Sequence, residues 1–245
     1  MRNSIVASGA ASAIRCGAAL VCPLYLCSSE LSAARSAVAV LQHHFTSAPG
    51  LAGTSTTLDT SVRSSVTLDL VASEVWAALP TGLRSVVRSI DELRAELALA
   101  TGRPLLEEVE LQLLTYAEGG HYARHVDDGL GTATRAVRRS ISMLLYLTPD
   151  DWCDDDGGQL RIHVASPSPG ACARIHRLRP RLDGSIRVDD LLSEVALDIL
   201  PAAGTLVLFN SATVPHEVLH TLRQRSVVVG WLLEARGPTA VKSKK

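Results

Sequence analysis

The chain has 245 residues, 47% hydrophobic and 20% charged, with a formal net charge of -1. That is enough apolar material for a sizeable core in one large or two small domains. The near-zero charge excludes the basic footprint of a general nucleic-acid binder, and no apolar run is long enough to span a membrane.

Residues 1–18 carry only Arg2 and Arg15 as charges and read as an N-terminal extension, disordered or targeting. A cytoplasmic or nuclear location is expected, with an organellar or secretory one as the alternative if this segment is a targeting peptide. Leu20 to Leu26 is the expected first strand, opening a single domain over 19–236. Ser28 or Ser29 caps a predicted helix with Leu31, Ala34, Val38, Leu41 and Phe45 on one face. Residues 46–69 read as loop with one or two strands, and a short helix is expected from Val71 to Leu79. A longer helix carries Leu83, Val86, Ile90, Leu93 and Leu97 until Gly102 and Pro104 stop it.

After Pro104 the period changes to two. Val109, Leu111 and Leu113 alternate with Glu108, Glu110 and Gln112. In Ser140 to Leu147 the residues Ile141, Met143, Leu145 and Leu147 form an apolar face, and Ser142, Leu144 and Tyr146 a more polar one suited to lining a site. Gln159 to Ala165, Thr205 to Asn210 and Ser226 to Leu233 are further strands. Residues 166–195 read as an irregular insertion, and 237–245 as a basic tail. Helices first and strands after predict an α+β fold with a jelly-roll core. The five cysteines are odd in number and lack a C-x-x-C, so they read as reduced thiols.

The chemistry concentrates in Tyr116 to Asp127. His125 and Asp127 are two apart, which on a strand puts imidazole and carboxylate on one face. His216, in Pro215-His216-Glu217-Val218, is the best third ligand. Two histidines, one carboxylate and open positions are the facial triad of non-heme Fe(II) oxygenases. Arg225 follows nine residues later at a strand start. 2-Oxoglutarate chelating such an iron leaves its far carboxylate buried, and a guanidinium fork is the side chain best suited to pair with it.

At this point the chain resembles the 2-oxoglutarate- and Fe(II)-dependent prolyl 4-hydroxylases, most closely the oxygen-sensing, hypoxia-inducible-factor type. The resemblance rests on four features. They are Tyr116 to Asp127, Tyr146-Leu147 followed by Asp151-Trp152, Gly157-Gly158-Gln159-Leu160-Arg161-Ile162, and Pro215-His216-Glu217-Val218 with Arg225. Together they cover residues 105–234. It implies a double-stranded β-helix (jelly roll) supported by N-terminal helices. It implies Fe(II) on His125, Asp127 and His216, and the far carboxylate of 2-oxoglutarate on Arg225 and Tyr146. Tyr116 is placed near the cosubstrate, at the cost of a one-residue gap.

Tyr122 becomes a pocket residue, with a half-buried strand tyrosine as the alternative. Arg139 becomes a residue of the substrate groove; the position of its family acid partner is occupied here by Ser65. The implied reaction hydroxylates a prolyl residue of a protein or peptide, consumes O2, decarboxylates 2-oxoglutarate to succinate and CO2, and uses L-ascorbate. The same chemistry on another side chain, a nucleobase, a lipid or a small molecule is the first rival. A non-catalytic binding module on this fold is the second.

Overall fold

Parity along one strand sets the layers of this protein. Ile141, Met143 and Leu145 face a cluster of helices, whereas Leu144 and Tyr146 face a second sheet. The computed structural model describes residues 2–47, 61–128, 136–166, 168–181, 183 and 185–236; the basic tail 237–245 and residues 48–60 of the loop region lie outside them.

The elements in chain order are α1 (Arg2–Arg15), β1 (Ala19–Cys22), α2 (Ser28–Val40), β2 (Thr46–Ser47), β3 (Val66–Asp69), α3 (Ser73–Ala78), α4 (Thr81–Thr101), β4 (Leu105–Tyr116), β5 (Tyr122–His125), β6 (Val137–Tyr146), β7 (Leu160–His163), β8 (Ala173–Pro180), β9 (Ile186–Ser193), β10 (Ala196–Ile199), β11 (Leu206–Asn210), β12 (His216–Val218) and β13 (Arg225–Ala235). The major sheet runs β2-β3-β4-β13-β6-β11-β1-β8-β9 and the minor sheet β10-β7-β12-β5. The two sheets enclose one apolar cluster, and α1, α2 and α4 bury a second against the outer face of the major sheet. This is the expected α+β jelly roll, the double-stranded β-helix, backed by helices.

The long helix follows its sequence pattern: Leu83, Val86, Ile90, Leu93 and Leu97 are all buried. Gly102 ends it in the left-handed conformation at φ 68°, where a side chain would add strain. No helix among the described residues is long and apolar enough to cross a membrane.

Two expectations are corrected. Residues 2–15 are a helix that packs against α4 and β1, not a loose extension. Its buried stripe is Val6, Ala7, Ala10 and Ala13, so the helical period is present but written in small residues that carry little hydropathy. The 166–195 segment is largely a hairpin, β8 and β9, that extends the major sheet with β8 parallel to β1. Its alternation is obscured by polar side chains along the hairpin: Arg179 pairs across the strands with Asp189, Arg187 reaches the same carboxylate from within β9, and His176 lies 3.5 Å from Asp190.

Candidate functional site

The ladder between β5 and β12 puts His125 directly opposite His216. Their ring centroids are 4.3 Å apart, and both rings point between the sheets. β5 ends at His125, so Asp127 lies in the turn beyond the strand rather than on it. It still reaches the same point. Its Oδ1 is 3.4 Å from His125 Nε2, and its Oδ2 is 3.7 Å from His216 Nε2. The Asp128 N–H donating to Ser211 O at 3.0 Å fixes that turn, and the Ser142 hydroxyl donates to Asp127 Oδ2 at 2.5 Å. Ser142 sits on the polar face of β6 in phase with Tyr146, which is the sequence signal for it.

Each histidine faces the carbonyl two residues before it. His125 Nδ1 is 2.8 Å from Ala123 O, and His216 Nδ1 is 3.0 Å from Val214 O. A carbonyl only accepts, so each Nδ1 carries a proton and each ring turns its Nε2 toward Asp127. Burial lowers the His216 pKa to about 4, which keeps the ring neutral near pH 7. Burial also pushes the Asp127 carboxyl upward. The histidines and the Ser142 hydroxyl outweigh that and hold it below the usual carboxylate range. Two imidazole nitrogens and a carboxylate oxygen, all within 4.8 Å of one another, therefore converge on one point. The His/His/Asp composition of this set suits Fe(II).

Arg225 and Tyr146 are fully buried beside Tyr116, which lines the same cavity as the triad. Register aligns all three on the inner face of the major sheet: Arg225 lies opposite Tyr116, and Val227 opposite Tyr146. The Arg225 guanidinium is 4.7 Å from the Tyr116 ring and 5.5 Å from that of Tyr146. Its Nη1–H donates to Gly158 O at 2.7 Å. Gly158 has φ +67°, and a Cβ there would come within 3.1 Å of Arg225 Cδ. Arg225 Nε, Arg225 Nη2 and Tyr146 Oη are buried without a hydrogen-bond partner among the described residues. Burial raises the Tyr146 pKa to about 12, so its hydroxyl remains a donor. Three buried donors left unpaired together fit a carboxylate.

In front of the triad is a cavity of about 220 Å³ lined by Arg63, Gln112, Tyr122, Arg139, Leu144 and Trp231 among others. Tyr122 stacks on His125 at 3.8 Å, in keeping with a pocket residue. Arg139 lies over the Trp231 ring at 3.6 Å, and its Nε–H donates to Glu110 at 2.8 Å. Its acid partner thus comes from β4 and not from the Ser65 position. Arg63, absent from the sequence-derived site, also lines this cavity.

Residues 111–233 match the 2OG-Fe(II) oxygenase superfamily. The fold is similar to that of a Pseudomonas putida prolyl-4-hydroxylase, with TM-score 0.65 and 21% identity over 94% of this chain and 100% of that one. It is also similar to a Trichoplax adhaerens prolyl hydroxylase in complex with a hypoxia inducible factor oxygen degradation domain peptide fragment, with TM-score 0.71 and 17% identity over 94% and 90%. The α-ketoglutarate-dependent epimerase SnoN from nogalamycin biosynthesis shares the fold at TM-score 0.58 and 13% identity over 97% and 86%. A family match spanning half of the chain settles the class: this protein belongs to the 2OG-Fe(II) oxygenase superfamily.

Proposed function

We propose that this dioxygenase hydroxylates a prolyl residue of a protein or peptide substrate. The observation that carries the cosubstrate assignment is the buried group of donors unpaired among the described residues, Arg225 Nε, Arg225 Nη2 and Tyr146 Oη, packed against Tyr116, which lines the same cavity as the triad. In this reading His125, Asp127 and His216 hold Fe(II). Arg225 and Tyr146 anchor the far carboxylate of 2-oxoglutarate, and the Tyr116 ring packs against that anchor. Fe(II), 2-oxoglutarate and O2 together supply the oxidising power, with 2-oxoglutarate ending as succinate and CO2. The protein's own residues fix the ligand tautomers, keep Asp127 ionised, orient the cosubstrate and wall the cavity with apolar surface. Tyr122 and Arg139 line the face from which the substrate enters.

The prolyl assignment draws support from the concordant motifs over 105–234 and from the likeness in fold to two prolyl hydroxylases. The likeness to SnoN favours a second reading, in which the same centre oxidises a non-prolyl substrate. Incubating proline-containing peptides with the protein, Fe(II), 2-oxoglutarate and O2 and reading a mass gain of one oxygen on proline tests the choice. Oxidation of another compound class with none at proline contradicts the prolyl reading.

A further inference from the structure

Two guanidiniums line the outer cavity, and they are not equivalent. Arg139 is neutralised by Glu110. Arg63 is only 8% exposed, yet its hydrogen bonds among the described residues reduce to one, from Nε–H to Ser65 Oγ at 2.9 Å. No carboxylate of the described residues pairs with it. Ser65 takes the place where an acid was expected, and among the described residues the segment before β3 brings a cation to the cavity with no carboxylate paired to it.

Arg63 is also held in place. The Ala123 N–H donates to Val62 O at 2.7 Å, the Ser64 N–H donates to His121 O at 3.0 Å, and Arg63 itself bridges Tyr122. Its guanidinium lies 4.8 Å from the Tyr122 ring, and that ring stacks at 3.8 Å on His125. The stack Arg63, Tyr122, His125 therefore ends on a metal ligand. A guanidinium cannot escape its charge by losing a proton, and a largely desolvated one gains from an anion that enters beside it. One ring, that of Tyr122, separates Arg63 from the metal ligand, and Arg63 and the triad line one cavity, so a group bound at Arg63 lies within a residue or two of the carbon oxidised.

We propose that Arg63 selects a carboxylate on the substrate, an acidic side chain or chain-terminal carboxylate within a residue or two of the carbon to be oxidised. This rests on the oxygenase reading above and adds the substrate's charge to it. Arg63 acts in binding and not on the reacting atoms.

The test uses the full chain loaded with Fe(II) and 2-oxoglutarate. A proline peptide library is prepared with Asp or Glu at each flanking position, each member matched by its Asn or Gln counterpart. A further arm carries a free or amidated C-terminus. Retention on the immobilised protein is measured without O2, and oxidation is measured after O2 is admitted. Acidic members are expected to be favoured over their amides by about tenfold or more in KM, as for a charge-assisted contact. The preference should collapse toward parity in Arg63→Gln, recover in part in Arg63→Lys, and weaken with added salt. 2-Oxoglutarate affinity should be kept in both variants.

Equal use of acids and amides overturns the proposal, as does an acid preference that survives Arg63→Gln. Loss of 2-oxoglutarate affinity in Arg63→Gln overturns it too, because Arg63 would then serve the cosubstrate. If acidic members are retained through Arg63 but oxidised at a residue other than proline, the proposal stands and the prolyl reading falls. The C-terminal arm tells which carboxylate is taken.

Discussion

His216 sits directly across the β5–β12 ladder from His125, and each ring places its Nδ1 against the carbonyl two residues earlier in its own chain. The backbone therefore sets both tautomers. A single substitution at either ring removes a ligand and leaves the ladder intact, so His125→Ala and His216→Ala should stay folded by circular dichroism while losing high-affinity Fe(II) or Mn(II) binding in equilibrium dialysis. A variant that binds the metal as wild type removes that residue from the ligand set.

Ser142 tests the support behind the ligands. Its hydroxyl donates to Asp127 Oδ2, and Ser142→Ala leaves that oxygen without this donor. Loss of such a supporting contact costs on the order of 10–100-fold in metal affinity. Metal titration of Ser142→Ala should show a fall in that range, with little change for 2-oxoglutarate once the metal is saturating.

Arg225 separates stability from binding. With Nε and Nη2 unpaired in the core, its charge weakens the protein in the absence of an anion. Arg225→Met should therefore match or exceed wild type in thermal midpoint without cosubstrate. Wild type loaded with metal should gain about 2–3 kcal/mol of stability at 2-oxoglutarate near a hundred times its dissociation constant. Arg225→Met should gain none of this while still binding metal. Stabilisation of the variant by 2-oxoglutarate would place the anchor elsewhere.

Acid should weaken the metal-free protein through His216. Its pKa falls from 6.5 to about 4 on folding, with burial as the main cause. Between these values the unfolded chain takes up a proton that the folded one refuses, so stability drops as pH is lowered from about 6.5 to about 4. The shift corresponds to roughly 3 kcal/mol. Asp127, depressed below its ordinary value, adds a further loss in more acid solution. Urea midpoints across this range should show a shallower slope for His216→Gln than for wild type. Equal slopes would remove His216 as the source.

Much of the site was legible because strand parity and short spacings report it directly. The two faces of Ser140 to Leu147, the His125/Asp127 pair and the run from His216 to Arg225 all lie within single elements or across one turn. What escaped needed tertiary information. Glu110 meets Arg139 only because β4 and β6 both flank β13. Arg63 enters the cavity only through its bridge to Tyr122, 59 residues along. The sequence predicts a strand through Asp127, and β5 stops at His125, because spacing cannot show where a ladder ends.

Helix α1 escaped because its buried stripe is small, and that makes it a stability test. Ala10 is fully buried, so Ala10→Leu overpacks the α1 interface at a cost of about 1–3 kcal/mol. That is a drop of roughly 2–12 °C in thermal midpoint for a chain of this size. An unchanged midpoint would mean that α1 adds little to the core.

The central claim is one site that holds Fe(II) on His125, Asp127 and His216 and 2-oxoglutarate on Arg225. An anaerobic titration of the protein with Fe(II) and 2-oxoglutarate, followed by visible absorption, addresses it most directly. A metal-to-cosubstrate charge-transfer band should form, vanish in His216→Ala, and in Arg225→Ala require far more 2-oxoglutarate while iron binding is largely kept. No band in the wild type, or a band untouched by His216→Ala, would contradict the account.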